Sequence, residues 1–175
     1  MAGGAAGNGR VVLKTGRLLL RPWRVGEGAV QREMWMERDP RVPPHRRIDS
    51  AGHPTVAELE ETIRAVEPSS VGLLAVERKV AGDAIGCCGL VGSGRGVREP
   101  QLAFEFLRRS WGQGYATEAS WAVLDWARSS GHEQLWASVW DWNTASRRVL
   151  AKVGFTEVDR EETTCGTNLV ATRPL

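Results

Sequence analysis

The chain has few residues that could crosslink it, hold a metal ion or anchor it in a membrane. Three cysteines in 175 residues do not make a disulfide framework, and no cysteine–histidine spacing indicates a metal site. No apolar run approaches the roughly 20 residues that a transmembrane helix needs. A net charge of +2 is too small to indicate nucleic acid or an anionic membrane as a partner.

The composition predicts one domain with a sizeable core. Hydrophobic residues make up 42% of the chain, which suits a single core at this length. Residues 1–10 are mostly glycine and alanine and lack the apolar segment of a signal peptide. We therefore expect a flexible tail over residues 1–10, followed by a cytoplasmic domain over residues 11–175.

Hydrophobic periodicity predicts strands and helices in an α+β order. Strands are predicted at 17–23, 72–77, 84–91, 101–107, 134–140, 155–159 and 168–173. Helices are predicted at 26–36, from Thr55 onward, at 116–129 and at 143–153. Thr55 and Glu58 have capping-box spacing. Cys87 and Cys88 are neighbours on a strand and should point to opposite faces as small hydrophobic residues.

The segment Leu107–Ala119, LRRSWGQGYATEA, indicates an anion-binding loop between a strand and a helix. Gly112 and Gly114 let the backbone turn tightly and approach a ligand closely. The helix that begins near Tyr115 directs its unpaired N–H groups and its dipole toward the same loop, and Arg109 adds a positive charge. A tight turn without a ligand is the alternative. The third glycine of a dinucleotide site is missing, which disfavours NAD.

A second segment, Asp141–Phe155, combines polar and apolar residues on one predicted helix. Asn143 and Ser146 are one turn apart and share a face, and Gly154 ends the helix as a left-handed cap. Asn143 at the first turn is also explained in part as an N-cap. Capping does not explain why this segment follows the glycine loop at a distance of about 30 residues.

Four segments in this order resemble the GNAT superfamily of acyl-CoA-dependent N-acyltransferases, most closely the branch with the ribosomal-protein alanine N-acetyltransferases. They are TGRLLLRPW (15–23), AIGCCGL (84–90), FEFLRRSWGQGYATEA (104–119) and NTASRRVLAKVGF (143–155). The resemblance implies a three-layer α+β fold whose mostly antiparallel central sheet opens between its fourth and fifth strands. It also implies acetyl-CoA as co-substrate, no metal, and compatibility with a homodimer.

The resemblance assigns cofactor roles to two groups of residues. Backbone groups of Phe106 and Leu107 would bind pantetheine along an exposed strand edge. The pyrophosphate would lie in a loop formed by Arg109, Ser110, Trp111, Gly112, Gln113, Gly114, Tyr115 and Ala116. Asn143 would contact the pantetheine arm. Ser146 would lie near the sulfur, where it could protonate the departing thiolate.

Glu105 is the predicted general base, with Ser146 and Asn143 as the other candidate catalytic residues. Glu105 interrupts the apolar strand LAFEFL, where a buried carboxylate is costly unless it has a role or a partner. A salt-bridged or edge-exposed glutamate is the alternative, and water alone is another proton relay. Many relatives carry an acidic residue four positions earlier, where this chain has Gln101. The tyrosine that many relatives use as an acid has no counterpart, because Tyr115 is the single tyrosine.

The expected acceptor is a primary amine: a protein N-terminus, a small amine or an amine-bearing antibiotic. A non-catalytic acyl-CoA-binding module is the alternative class. Residues 25–55 and 92–100, which would shape the acceptor pocket, carry no recognisable motif. Trp140 and Trp142 are candidates for an apolar wall or a cation–π site for an ammonium group. His45 and His53 border the same region.

Overall fold

The computed structural model describes residues 11–67, 72–96 and 98–175, so the tail predicted at residues 1–10 lies outside the described residues. The strands within these ranges are β1 (Leu13–Lys14), β2 (Leu18–Arg21), β3 (Gly72–Arg78), β4 (Ala84–Val91), β5 (Gln101–Phe106), β6 (Gln134–Trp140), β7 (Thr156–Thr163) and β8 (Gly166–Pro174). The α-helices are α1 (Gly28–Glu37), α2 (Val56–Ala65), α3 (Tyr115–Ser129) and α4 (Thr144–Lys152). Short 3-10 turns occur at Val25–Glu27, Pro44–Arg46 and Arg108–Ser110.

The described strands form one sheet in the order β1-β2-β3-β4-β5-β6-β8-β7. Neighbouring strands are antiparallel, except that β5 and β6 run parallel. A parallel neighbour requires a crossover connection, and α3 provides it. The mixed, mostly antiparallel α+β architecture confirms the predicted fold class.

Helices cover both faces of the sheet and form three layers. The larger core lies between the sheet and the pair α3 and α4, where Val123, Leu124 and Leu150 are buried. A smaller cluster of Met34, Cys87 and Leu107 lies under α1, which packs on α2.

The adjacent cysteines belong to different layers, as their position on a strand predicted. Cys88 is part of the larger core and Cys87 is part of the smaller cluster. Burial raises the pKa of both thiols, that of Cys88 to about 12. Both side chains therefore serve as small hydrophobic residues.

Local signals predicted several element ends and missed others. The Thr55–Glu58 capping box and the left-handed Gly154, with φ of 85°, are both present. The first predicted strand ends at Arg21 because Pro22 has no N–H to donate to a ladder. β7 continues to Thr163, beyond the predicted end at residue 159, and every residue of this strand is exposed. An exposed edge strand has no apolar alternation by which it could be recognised.

Glu118, in the first turn of α3, joins the N-terminal hairpin to the glycine loop. Its carboxylate accepts hydrogen bonds from the Thr15 hydroxyl at 2.5 Å, the Arg17 N–H at 2.9 Å and the Arg17 Nε at 2.7 Å. Arg17 Nη1 also donates to the Gln113 carbonyl at 3.0 Å. The hairpin thereby fixes both the loop and the start of α3.

Replacing Glu118 with glutamine is expected to destabilise the fold in a pH-dependent way. Burial alone would raise the pKa of Glu118, but the hydrogen bonds from Thr15 and Arg17 outweigh it and lower the pKa below its ordinary value of 4.5. The stabilisation is therefore complete above the unfolded-state pKa and is lost as pH falls through the folded-state pKa. Urea unfolding should show a loss of about 1–2 kcal/mol at pH 7 that shrinks below pH ~4. A loss of equal size at both pH values would contradict this account.

Candidate active site

The sheet opens between its two parallel strands. Among the described residues, β5 and β6 pair at a single register position, Gln101 with Trp136. The Trp136 N–H also donates to the Pro100 carbonyl at 3.0 Å. Beyond this point the two strands are not paired, which leaves a cleft with an unpaired strand edge on each side. The predicted splay of the central sheet is confirmed.

Hydrogen-bond alternation along β5 determines which backbone groups face the cleft. The Leu107 N–H donates to the Ile85 carbonyl at 2.9 Å, and the Leu107 carbonyl accepts from the Ser110 N–H at 2.9 Å. In the antiparallel register with β4, the odd-numbered residues of β5 therefore bond to β4 and the even-numbered ones face the cleft. Phe106 presents its backbone to the cleft, whereas the backbone groups of Leu107 already have partners inside the protein.

The side chain of Trp111 covers part of this edge. Its indole Nε1 donates to the Phe106 carbonyl at 2.7 Å, while 56% of the residue remains exposed. Ser110 is buried, and its hydroxyl donates to the Leu107 carbonyl at 2.7 Å. Both residues hold the turn that leads from β5 into the glycine loop.

The glycine loop presents a row of backbone N–H groups at the open end of the cleft. Gly112 and Gly114 have φ of 74° and 79°, which is left-handed backbone that favours glycine. Gly114 is the residue before α3. Because it has no side chain, it makes no side-chain capping hydrogen bond to the helix. Within the described ranges, the N–H groups of residues 112–117 have no protein acceptor. The loop therefore offers several donors and the positive end of a helix dipole to an anion.

Two other residues predicted for this loop have partners within the protein. Arg109 forms an ion pair with Glu33 of α1, which ties the loop to the opposite layer. The guanidinium of Arg17 lies 4.5 Å from the centre of the Tyr115 ring. Gln113 and Ala116 complete the loop and the first turn of α3.

The start of α4 lies at the same end of the sheet as the glycine loop, because β5 and β6 run parallel. Asn143 is the N-cap of α4, and its side-chain oxygen accepts from the Ser146 N–H at 3.2 Å. Both residues are half-buried. The predicted capping role of Asn143 is confirmed, and the structure brings Asn143 and Ser146 together on one turn.

Glu105 lies on the sheet face opposite α3, where it pairs with Arg38. Arg38 Nε and Nη2 donate to the two carboxylate oxygens at 2.7 Å each. The Glu105 side chain is 25% exposed and that of Arg38 is 14% exposed. The structure thus shows the salt-bridged arrangement, which the sequence left open as the alternative to a general base.

Arginines of the segment after α1 lie over two tryptophan rings. Arg38 lies 4.0 Å from the centre of the Trp35 ring and Arg41 lies 4.3 Å from that of Trp142. Trp142 in turn stacks on Trp140, with ring centres 6.1 Å apart. Of the two tryptophans considered for a cation–π contact with a substrate ammonium, Trp142 already has the Arg41 guanidinium over its ring.

These arginines had no signal in the sequence. Arg38 and Glu105 are 67 residues apart, and no sequence motif contains both of them. The i,i+3 spacing of Trp35 and Arg38 on a helix end could have indicated their contact.

His45 and His53 line a surface pocket between the Pro44–Arg46 turn and α2. His53 Nδ1 lies 2.7 Å from the Glu58 carboxylate, and this hydrogen bond raises the pKa of His53. Among the residues that the structure describes, no three His, Cys, Asp or Glu side chains cluster as a metal site would require. The described helices include none that is long and apolar enough to cross a membrane.

A family model matches most of the chain. The model describes an acetyltransferase (GNAT) domain and matches residues 17–156. The chain belongs to the GNAT acetyltransferase family. The matched range includes β5, β6, the glycine loop and the start of α4.

Solved GNAT structures share this fold at low sequence identity. A GNAT-family acetyltransferase from Bacillus anthracis is 17% identical, with a TM-score of 0.77 over 94% of this chain and 98% of that one. RimJ from Mycobacterium smegmatis, solved in complex with CoA-disulfide, is 20% identical, with a TM-score of 0.69 over 94% of this chain and 86% of that one. YncA from Salmonella typhimurium, solved with acetyl-CoA, is 15% identical, with a TM-score of 0.70 over 91% and 94%.

A relative of higher identity matches a shorter region. The uncharacterized protein YkkB from Bacillus subtilis is 36% identical over 86 residues, which is 48% of this chain and 50% of YkkB. The match therefore spans about half the length of each protein.

Proposed function

We propose that this GNAT domain transfers an acetyl group from acetyl-CoA to a primary amine. The observation that carries the proposal is the single-pair junction of β5 and β6, with unpaired backbone N–H groups at the open end of the cleft. A narrow extended ligand fits between the two strand edges, and an anionic group fits the loop. Acetyl-CoA combines a pantetheine arm with a pyrophosphate. The Salmonella neighbour was solved with that cofactor.

The cofactor would bind as an added strand with an anionic end. The Phe106 edge would pair with the pantetheine amides, as in other cases of strand addition. The N–H groups of residues 112–117 would hold the pyrophosphate at the start of α3. Pantetheine bound along this edge would contact the Trp111 indole, which donates a hydrogen bond to the Phe106 carbonyl.

The reaction needs a neutral amine, a support for the oxyanion and a proton route. A backbone N–H at the β5 edge would polarise the thioester carbonyl as the amine attacks. Glu105 would take up the amine proton, directly or through water, while Arg38 orients its carboxylate. Ser146 would pass its proton to the departing thiolate and regain one from solvent, while Glu105 releases the amine proton to water. Asn143 would position Ser146 through the first turn of α4.

A non-catalytic acyl-CoA-binding module is the second candidate. It is favoured by one observation, the complete pairing of Glu105 with Arg38, which leaves both carboxylate oxygens engaged. Such a module would bind acetyl-CoA and release no CoA when amines are added.

Calorimetry combined with a CoA-release assay separates these candidates. We expect acetyl-CoA to bind with a Kd on the order of micromolar, with NAD and ATP as non-binding controls. Amines should then release CoA in proportion to the acetylated product detected by mass spectrometry. Binding without CoA release for any amine would favour the module, and absence of acetyl-CoA binding would exclude both candidates.

A further inference from the structure

Arg46 lies at the acceptor side of the cleft without an acidic partner. Its carbonyl accepts from Arg38 Nη1 at 3.1 Å, and Arg38 holds Glu105 at 2.7 Å, so the three residues are adjacent. Arg38 and Arg41 each pair with a carboxylate, that of Glu105 or Asp39. In the part of the chain that the structure describes, the Arg46 guanidinium has no ion pair.

The surroundings of Arg46 leave its charge uncompensated. Arg46 is exposed at the surface. Partial loss of hydration against neighbouring protein atoms nonetheless lowers the pKa of its guanidinium, and the positive charge of Arg38 lowers it further. The negative charge of Glu105 raises the pKa of Arg46 but does not outweigh these two effects. A bound anion would relieve both effects, since an opposite charge favours the ionised form of a crowded group.

The whole segment that borders the cleft is basic. Residues 38–47 contain four arginines and one aspartate. Arg41 lies over Trp142, beside β6, and Arg38 contacts Glu105 of β5, so the segment spans both strands of the cleft. Like charge at an entrance disfavours polycationic acceptors such as polyamines.

We propose that the acceptor site selects small primary amines that carry a carboxylate or phosphate, which Arg46 binds while the amine faces the thioester. This inference rests on the proposed acetyl transfer and names the acceptor class for that site. A guanidinium suits such a group because its parallel N–H donors match two oxygens of a carboxylate or phosphate. The amine would then lie near Glu105, the acidic group on the other side of Arg38.

The test uses matched acceptors that differ in the presence of the anionic group. L-Alanine and L-phenylalanine are compared with their amides, and O-phosphoethanolamine with ethanolamine, with spermidine as a polycation. We expect the anionic member of at least one type of pair to have a kcat/KM at least about tenfold higher, which is the size of one charged hydrogen bond. The amino-acid and phosphoethanolamine arms distinguish carboxylate from phosphate as the preferred group.

Variants of Arg46 test whether this residue supplies the preference. Arg46→Gln should raise KM for the anionic acceptor by at least about tenfold and leave kcat and the kinetics of the uncharged partner unchanged. Arg46→Lys should restore part of the loss. Arg160→Gln, on the exposed strand β7, is the matched control and should behave as wild type.

Equal use of both members of every pair, or a preference for spermidine, would overturn the inference, as would an unchanged KM in Arg46→Gln. Calorimetric binding of the same anionic amines to the CoA-bound protein requires no turnover. If no amine releases CoA, acetyl transfer fails, but binding that is lost in Arg46→Gln would still support the anion site. No binding of either anion would overturn it.

Discussion

Replacing Gly112 with valine is expected to abolish acetyl-CoA binding, with at least about a 100-fold loss in affinity, equal to about 2.7 kcal/mol. Gly112 has φ of 74°, and a Cβ added there meets no protein atom within 4 Å. The side chain would enter the open space outside the loop and shift the N–H groups that we assign to the pyrophosphate. Titration calorimetry on wild type and variant measures this loss.

Gly131 provides the control for backbone strain. It has φ of 82°, and a Cβ added there also meets no atom within 4 Å, but it follows α3 at the end remote from the loop. Gly112→Val and Gly131→Val should therefore lose similar stability, about 1–2 kcal/mol each. Only Gly112→Val should lose acetyl-CoA affinity. An equal loss of affinity in both variants would assign the effect to the fold and not to the loop.

Glu105→Gln should lower kcat by about 100-fold or more, the size of a general-base contribution. The substitution keeps the shape of the side chain and removes the proton acceptor. Stopped assays of product at saturating acetyl-CoA measure this loss.

Arg38→Gln distinguishes a base from a structural ion pair. It removes the partner of Glu105 and keeps the carboxylate, so the base hypothesis predicts a milder loss of about tenfold in kcat. If the pair is only structural, both single variants and the double variant should lose similar activity and stability. In that case water would be the proton acceptor.

Local chemistry predicts the glycine loop and the helix caps from the sequence alone. Gly112 and Gly114 stand between an apolar strand and a periodic helix, and Asn143 precedes another, so sequence spacing alone locates them. The opening between β5 and β6 came from the family resemblance, because no residue pattern encodes a strand pair that stops after one position. The structure adds that the backbone of Leu107 is already bonded within the protein.

The acceptor side was much less predictable. The Arg38–Glu105 pair joins residues 67 positions apart, and Arg41 reaches Trp142 from another layer. Such contacts depend on where the segment after α1 crosses the sheet. Periodicity reports which face of an element is buried but not which distant side chain meets it.

The opening of the sheet has a consequence for self-association. An open sheet has two edges, but the gap between β5 and β6 gives the described sheet two more, and unpaired edges can recruit strands from other copies. The outer edges are protected by the shortness of β1 and by the five charged residues of β7. The inner edges lie within a cleft that narrows to one residue pair. A β-strand carries side chains on both faces and fits poorly into the cleft between β5 and β6. The cleft therefore admits a slender ligand but resists edge-to-edge aggregation with another copy of the protein.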